Sequence, residues 1–495
     1  MPRIRLLSRP GAGPAVASVV AIALAVALAA APVAASASSA SAGTTSARPG
    51  SAGLGDAYQP LAGNGGYDVQ HYGLDLRLAP AVSAGRRAVT TVSGSVTIDA
   101  VATQRLSRFD LDLIGFTVQS VAVDGRRAAY DRVGQELRIT PSGGLFVGQR
   151  FRVVVVYSGK PHHFNSDALG SEGWFSTADG GILAGEPEAA AGLFPVNDHP
   201  SDKATYGFRL QVPAGLTAVA NGLPAQPVTT AGWTTWVWTS AHPMASYLVT
   251  VAVGHYHLTH GVTPDGIPIV NAVDVAAGSV ADRALSFQER ALAFLQREFG
   301  PYPFEAAGAI ISSADIPFAL ETQTRPVYPT GFFGGPGDES VLVHELAHQW
   351  FGDSLTIDRW REMWLNEGFA TYAEWLWSEQ LGGQTAQQLF DAQLERPPGD
   401  PFWQVRIGDP GVPDLFSGAV YERGAMTLHA LRLTIGDAKF FTLVRAWAAQ
   451  HQDGNVSTDA FKALAERVSG RNLQAFFSTW LHATTKPDWT DPPVG

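Results

Sequence analysis

Between Tyr67 and about His260, apolar side chains recur at every second position. Tyr72, Leu74, Leu76 and Leu78 alternate with polar residues, as do Phe151, Val153, Val155 and Tyr157, the period of strands that bury one face. Trp236 and Trp238 fall on one face of a further strand. Asp124-Gly125, following Val121 and Val123, predicts a hairpin turn, because glycine tolerates the positive φ that tight turns require. After about Asn271 the period lengthens: Leu285, Leu292, Leu295 and Phe299 recur at helical spacing, and Gly300-Pro301 stops that helix. Helical patterning dominates from Ser340 onward, with Ser457, Thr458 or Asp459 capping a helix through Val468 and another apolar-faced helix over Leu473 to Leu481. The pattern predicts an α+β protein, with a β-rich N-terminal domain over residues 57–260 and a mainly helical domain over 261–495.

Composition agrees with two packed domains: 45% of the 495 residues are apolar and 16% charged, ample material for cores and unlike a disordered chain. Arg3, Arg5 and Arg9 precede an apolar stretch from about Ala15 to Ala34 and then Ala35-Ser36-Ala37, the layout of a secretory signal peptide over residues 1–37. An uncleaved membrane anchor is the alternative, and cleavage predicts a secreted protein without stable membrane association. Residues 38–56, rich in Ser, Ala and Gly, read as a flexible linker. A net charge of −11 argues against nucleic acid as a partner. There is no cysteine, so thiolate ligands and a cysteine nucleophile are both excluded.

Residues 344–348 read His-Glu-Leu-Ala-His. On a helix His344 and His348 share one face, so both imidazoles can reach one metal ion, while the adjacent Glu345 is placed to take a proton from water activated by that ion. A surface helix with coincidental histidines is the competing reading of this motif alone. Catalytic zinc usually takes three protein ligands and leaves a position for water. Glu367, which follows His348 after 18 residues and begins a second helical pattern, is the candidate third ligand. Asp353 and Glu374 are candidates to support the ligand histidines by hydrogen bonds. His255 and His257, on one strand face, and the adjacent His162 and His163 read as structural, since neither pair has an identifiable third ligand.

The words HELAHQWFGD and WLNEGFATYAE resemble those of the aminopeptidase N family of zinc metallopeptidases, which carry HExxH, eighteen residues and then Glu. The resemblance spans roughly Gly63 to Asp488 and is strongest from Ile316 to Ala425. It implies a saddle-like β domain on a thermolysin-like catalytic domain, one catalytic Zn2+, and peptides as substrates. It also implies roles for particular residues. Tyr421, in Val420-Tyr421-Glu422-Arg423-Gly424-Ala425, would donate to the oxyanion. Glu321, in Phe318-Ala319-Leu320-Glu321-Thr322, and Glu186, in Gly185-Glu186-Pro187, would hold the substrate α-ammonium, and Ala319 lies in the segment that pairs with the substrate backbone. Phe318 and Thr322 stand where the family has Gly and Asn, and Ala191 where it has an arginine, so substrate positioning departs from the family pattern. Larger members add domains that roof the site, and this sequence ends before either, which predicts a more open cleft. The resulting expectation is a secreted zinc aminopeptidase. A zinc endopeptidase is one alternative and a non-catalytic binding protein on a peptidase fold is another, with an epoxide hydrolase more distant. The sequence leaves the oligomeric state open.

Overall fold

The computed structural model describes residues 46–165, 170–335 and 337–489. The expected signal peptide lies outside these residues. The alternating N-terminal segments form the strands their period predicts. Tyr72, Leu74, Leu76 and Leu78 of strand Tyr67–Ala81 are all buried, as are Phe151, Val153, Val155 and Tyr157 of strand Arg150–Gly159. They belong to a nine-stranded sheet in which strand Ala204–Pro213 runs parallel to Tyr67–Ala81 while Val89–Ala102, Arg150–Gly159 and Thr117–Val123 continue antiparallel. Asp124 and Gly125 both take positive φ, 50° and 72°, between Thr117–Val123 and Arg126–Arg127, the two-residue turn whose twist suits a hairpin. Trp238 is fully buried and Trp236 half-buried, each donating its indole N–H to a carbonyl of the segment Leu216–Ala218.

Two smaller sheets complete the β domain. One contains Leu106–Asp112, Glu136–Thr140 and Ala129–Val133; the other contains Glu172–Ser176, Gly181–Ala184, Val251–Gly254 and Thr217–Ala220. The last three of these strands are buried at every position, so both faces of this sheet are covered. Strand Gly181–Ala184 runs directly into Gly185-Glu186 and thereby carries Glu186 to the site.

The structure changes two sequence expectations here. Part of the supposed linker 38–56 is folded: Arg48–Pro49 pairs in parallel with Leu106–Asp112, and Asp56 is buried, accepting hydrogen bonds from the N–H groups of Tyr58 (2.7 Å) and Trp360 (2.9 Å). Small side chains look like a linker by composition, yet here the backbone supplies the bonding. The boundary at 260/261 also falls inside a hairpin. Strands Tyr256–Val262 and Pro268–Asp274 pair antiparallel and continue through Ala307–Ser312 to Val327–Pro329 in parallel, so the catalytic domain has its own four-stranded sheet. Period two identifies a strand without assigning it to a sheet.

Of the helix expected over Leu285, Leu292, Leu295 and Phe299, the last three lie in Gln288–Phe299, which ends at Gly300, whereas Leu285 ends a separate short helix, Asp282–Leu285. Ser457 caps Thr458–Ser469, its hydroxyl accepting from the Ala460 N–H. The remaining helices include Glu339–His348, Trp364–Gln380, Gly418–Ile435 and Asp437–Gln450. Between Leu473 and Leu481 the chain forms a short α-helix, Gln474–Phe477, that widens at Ser478–His482. Two cations, the buried Arg325 and the half-buried Lys203, tie the domains together. Arg325 donates to the carbonyls of Val270 (2.8 Å), Ala220 and Gly222 (2.9 Å) and lies over the Trp238 ring, and Lys203 donates to the carbonyls of Asp353 (2.8 Å) and Ser354 (2.9 Å).

Candidate active site

The helix Glu339–His348 contains the whole His-Glu-Leu-Ala-His motif, and its inner end is buried from Leu342 to His348. Its C-terminal partner, Trp364–Gln380, crosses it with Glu367 in the first turn. The ligand atoms of His344, His348 and Glu367 lie within 4.8 Å of one another. Glu367 Oε2 is 3.2 Å from His344 Nε2 and 3.4 Å from His348 Nε2. Both imidazoles turn their other nitrogen away from the cluster: His344 Nδ1–H donates to Glu374 Oε1 at 2.7 Å and His348 Nδ1–H to the Phe351 carbonyl at 2.9 Å. Those bonds fix the tautomer that leaves each Nε2 lone pair directed inward, as a metal ligand requires.

Of the two candidate supports, Glu374 therefore acts on a ligand imidazole. It sits two helical turns beyond Glu367 on the same face, and its second oxygen accepts from the Ser340 hydroxyl. Asp353 instead meets the motif helix through its backbone N–H, which donates to the His348 carbonyl at 3.0 Å. The carbonyl of Phe351 already occupies the place at His348 that a carboxylate would take.

One cavity of about 550 Å³ collects all eight sequence-predicted site residues: Glu186, Ala319, Glu321, His344, Glu345, His348, Glu367 and Tyr421. The helix Gly418–Ile435 brings Tyr421 over His344, with ring centroids 5.9 Å apart and planes 17° from parallel. This approach depends on two glycines. Gly424 lies against Gly368, and a Cβ on Gly424 would come within 2.7 Å of the Gly368 Cα. Burial, reinforced by Glu367, Glu186 and Glu321, holds the Tyr421 phenol well above its usual range, so the hydroxyl remains a donor.

The carboxylates respond to burial in opposite ways. Burial pushes the Glu367 carboxyl up, but His348 and His344 outweigh it and hold the group at about 2. Burial lifts Glu345 to about 8 against the pull of the same two imidazoles. His348 is raised to about 9 because Glu367 and Glu321 overcome its own burial. The field at the cluster thus favours positive charge, and its donor set of two inward Nε2 atoms and one ionised carboxylate suits a tetrahedral zinc ion with one position left for water.

Glu186 and Glu321 are 2% and 3% exposed, and one carboxylate oxygen of each has no hydrogen-bond partner in the fold. Burial, followed by the nearby Glu321 and Glu367, raises Glu186 well above the carboxylate range. The segment bearing Glu321 is held from both sides. Leu320 exchanges backbone hydrogen bonds with Val327, and Gln349, the residue after His348, donates from Nε2 to the Glu321 carbonyl at 3.0 Å. Thr322, where the family pattern has Asn, turns its hydroxyl away to the Arg325 carbonyl at 2.7 Å. Ala191, in place of the family arginine, is buried, and its N–H donates to Asp198.

The structure adds wall residues that the motifs do not reveal: Phe332, Val341 and Phe416 join Phe318 on the apolar side, and Asp338 and Ser340 lie near the start of the motif helix. Ser340 lies one turn before His344, a spacing that was available in the sequence. Among the other histidines, His255 Nδ1 pairs with Asp179 at 2.6 Å and His163 Nε2 with the Ser171 hydroxyl at 3.0 Å. Among the described residues, the cluster of His344, His348 and Glu367 is the one arranged to hold a metal.

Two helices presenting this ligand set beside a buried glutamate, on a β domain followed by a helical domain, define a zinc metallopeptidase. Comparison with known proteins agrees: the family model described as Peptidase family M1 domain matches residues 338–480, and that of the Peptidase M1 N-terminal domain matches residues 68–248. The M1 zinc metallopeptidase from Deinococcus radiodurans is 31% identical, with a TM-score of 0.78 over 89% of this chain and 100% of that one. A mutant two-domain M1 zinc metallopeptidase bound to L-arginine is 30% identical, with a TM-score of 0.80 over 89% of this chain and 100% of that one. The chain belongs to the M1, or aminopeptidase N, family of zinc metallopeptidases. Among curated relatives, Aminopeptidase N of Streptomyces lividans is 26% identical over 83% of this chain and 50% of its own length. Aminopeptidase M1-C of Oryza sativa subsp. japonica is 28% identical over 58% of this chain and 35% of its own length. The chain thus spans about a third to a half of the length of these curated relatives.

Proposed function

We propose that this protein is a secreted aminopeptidase that removes N-terminal residues from peptides, using one zinc ion held by His344, His348 and Glu367. The observation that carries the reading is the pair Glu186 and Glu321: two buried carboxylates, each with an oxygen unpartnered in the fold, in the cavity that contains the metal cluster. Like charges buried together are unfavourable, and a substrate α-ammonium would both neutralise them and supply their missing donors. An internal peptide bond brings no such charge. A mutant Deinococcus M1 enzyme solved with a Tyr-Ser-Ala substrate supports peptides as the substrate class.

When bound, zinc supplies Lewis acidity to the scissile carbonyl and lowers the pKa of a water molecule. Glu345, one residue after His344 and facing the same cavity, takes the proton from the attacking water and passes it to the departing amine. Tyr421 donates its hydroxyl hydrogen to the oxygen that gains charge. Glu186 and Glu321 fix the chain end, and Ala319 lines the cavity beside them. Secretion rests on the leader-like residues 1–37. Among the described residues no helix is long and apolar enough to cross a membrane.

The test is to incubate the purified protein with one short peptide, free and N-acetylated, with and without a zinc chelator, and identify products by mass spectrometry. Stepwise loss of single residues from the free peptide alone, abolished by the chelator, is the expected result. Internal cuts in both peptides would replace the reading with an endopeptidase, and intact peptides throughout would replace it with a binding protein.

A further inference from the structure

Glu321 opens a buried turn that the fold holds in a strained shape. Leu320 and Val327 exchange backbone hydrogen bonds at 2.9 and 2.7 Å, and the chain reverses between them. Within the turn the fully buried Thr324 takes a φ of 69°, a left-handed conformation that a β-branched residue rarely adopts. Such a conformation persists only where the surroundings over-determine it, and strain of this kind collects at functional sites.

The surroundings grip the turn from two directions. From the β domain, Asn221 Nδ2 donates to the Gln323 carbonyl at 2.8 Å and the Gly222 N–H to the Thr324 hydroxyl at 2.8 Å. From the motif helix comes the side chain of Gln349, which caps the helix directly after the ligand His348 and is fully buried. Its Oε1 accepts from the Thr324 N–H at 2.7 Å and from the Tyr302 hydroxyl at 3.3 Å, while its Nε2 donates to the Glu321 carbonyl at 3.0 Å. Glu321 Oε1 has no hydrogen-bond partner in the fold, so it is the backbone carrying this carboxylate that the fold grips.

A single side chain thus joins the amine anchor to the residue beside a metal ligand. In an aminopeptidase the distance between those two points decides which bond is cut, because one α-amino residue must reach from the ammonium to the carbonyl at the metal. We infer that Gln349 is a positioning residue that sets this distance, and with it the selection of α-amino chain ends over those whose nitrogen lies one carbon further away. The inference rests on the aminopeptidase reading and adds to it how the register of one residue is kept. Gln349 acts through Glu321 and touches neither substrate nor metal. A misplacement of about 1 Å costs on the order of 100-fold in rate, so a strut at this place has leverage.

The experiment measures kcat and KM for Leu-Leu-Leu-amide and for the same peptide beginning with β-homoleucine, whose extra methylene lengthens the path from ammonium to scissile carbonyl. The proteins are wild type, Gln349→Asn and Thr324→Gly, compared at matched zinc content. Wild type should favour the α-peptide by about 100-fold. Asparagine carries the same amide on a side chain one methylene shorter and cannot span from the helix to both Glu321 and Thr324. In Gln349→Asn the KM for the α-peptide should therefore rise more than kcat falls, and the α-to-β ratio should narrow by about tenfold. Thr324→Gly suits the φ of 69°, keeps the fold, loses the tie to Gly222 and should narrow the ratio by a smaller factor. A wild type that does not discriminate, or an unchanged ratio in Gln349→Asn whether or not kcat falls, would overturn the inference and leave Gln349 a role in stability alone. If Gln349→Asn does not fold, the ratio in Thr324→Gly decides, and an unchanged value overturns the inference. Internal cleavage by wild type without release of leucine would instead overturn the aminopeptidase reading on which it rests.

Discussion

Glu374 engages both of its oxygens at the metal cluster, one on His344 Nδ1 and one on the Ser340 hydroxyl, so it sets the orientation of a ligand without being one. Partners of this kind typically govern metal affinity by about 10- to 100-fold. Glu374→Ala should weaken zinc binding within that range and Ser340→Ala by a smaller factor, read by competition with a chromophoric chelator. An unchanged affinity in Glu374→Ala would mean that the imidazole is held by packing alone. Glu345→Gln tests a different role: zinc content should stay at the wild-type level while turnover is lost, and near wild-type kcat would remove Glu345 from the proton transfer. Tyr421→Phe keeps the ring over His344 and deletes one donor, so kcat should fall by about 10²- to 10³-fold with little change in metal content. His344 and His348 were legible in the sequence because helical spacing alone puts two imidazoles on one face with Glu345 beside them; the ligand count then calls for a third, and the eighteen-residue spacing of the family resemblance points to Glu367. The support of His348 was not legible, since a carboxylate at Asp353 and a carbonyl at Phe351 look equally suitable until the turn after the helix is known.

Among the secondary-structure elements, the contact that matters most is the crossing of Trp364–Gln380 with Gly418–Ile435. Gly368 follows the ligand Glu367 and Gly424 lies three residues beyond Tyr421, so their backbone contact fixes the distance between ligand and phenol. A methyl group at Gly424 must push the helices apart, because it would meet the Gly368 Cα at 2.7 Å and the helix backbone cannot yield as a flexible side chain would. Gly424→Ala should therefore cost about 1–3 kcal/mol in thermal unfolding and also lower kcat, since Tyr421 is displaced with its helix. A variant with lowered stability and normal kcat would separate the two effects and deny the crossing a role in positioning. Periodicity predicted the helices here because amphipathic spacing is local. It did not show that two glycines meet, because pairing between helices is carried by shape rather than by period. The catalytic sheet escaped for a related reason: Ala307–Ser312 is buried on both faces, so it does not alternate, and Val327–Pro329 is too short to show a period.

At the scale of the whole molecule the β domain contains acids whose protonation is coupled to folding. Asp202 is buried in the β domain, its Oδ1 accepting from the Val69 N–H at 3.0 Å and its other oxygen from the Asn197 amide. Burial, with Asp68 adding to it, pushes Asp202 from 3.8 up to about 8, and burial likewise brings Asp198 to about 6. A carboxyl whose folded pKa lies above its unfolded value holds a proton in the native state that the unfolded chain has already released. The native state therefore binds more protons between about pH 4 and pH 8, and stability falls as pH rises through that window. Each such group contributes a slope of about 1 kcal/mol per pH unit, which in a protein of this size corresponds to about 1 °C in Tm per pH unit. Two other effects operate nearby. Burial lowers Lys203 to about 7, which gives a slope of the opposite sign above that pH, and acid also releases metal from the histidines. Both are shared by wild type and Asp202→Asn, so the difference between them isolates Asp202. With zinc in excess, the wild-type Tm should fall relative to that of Asp202→Asn between pH 5.5 and 7.5, because the amide cannot ionise. Parallel curves would mean that Asp202 is already ionised in the folded protein and that its buried charge is met by the Val69 and Asn197 donors alone.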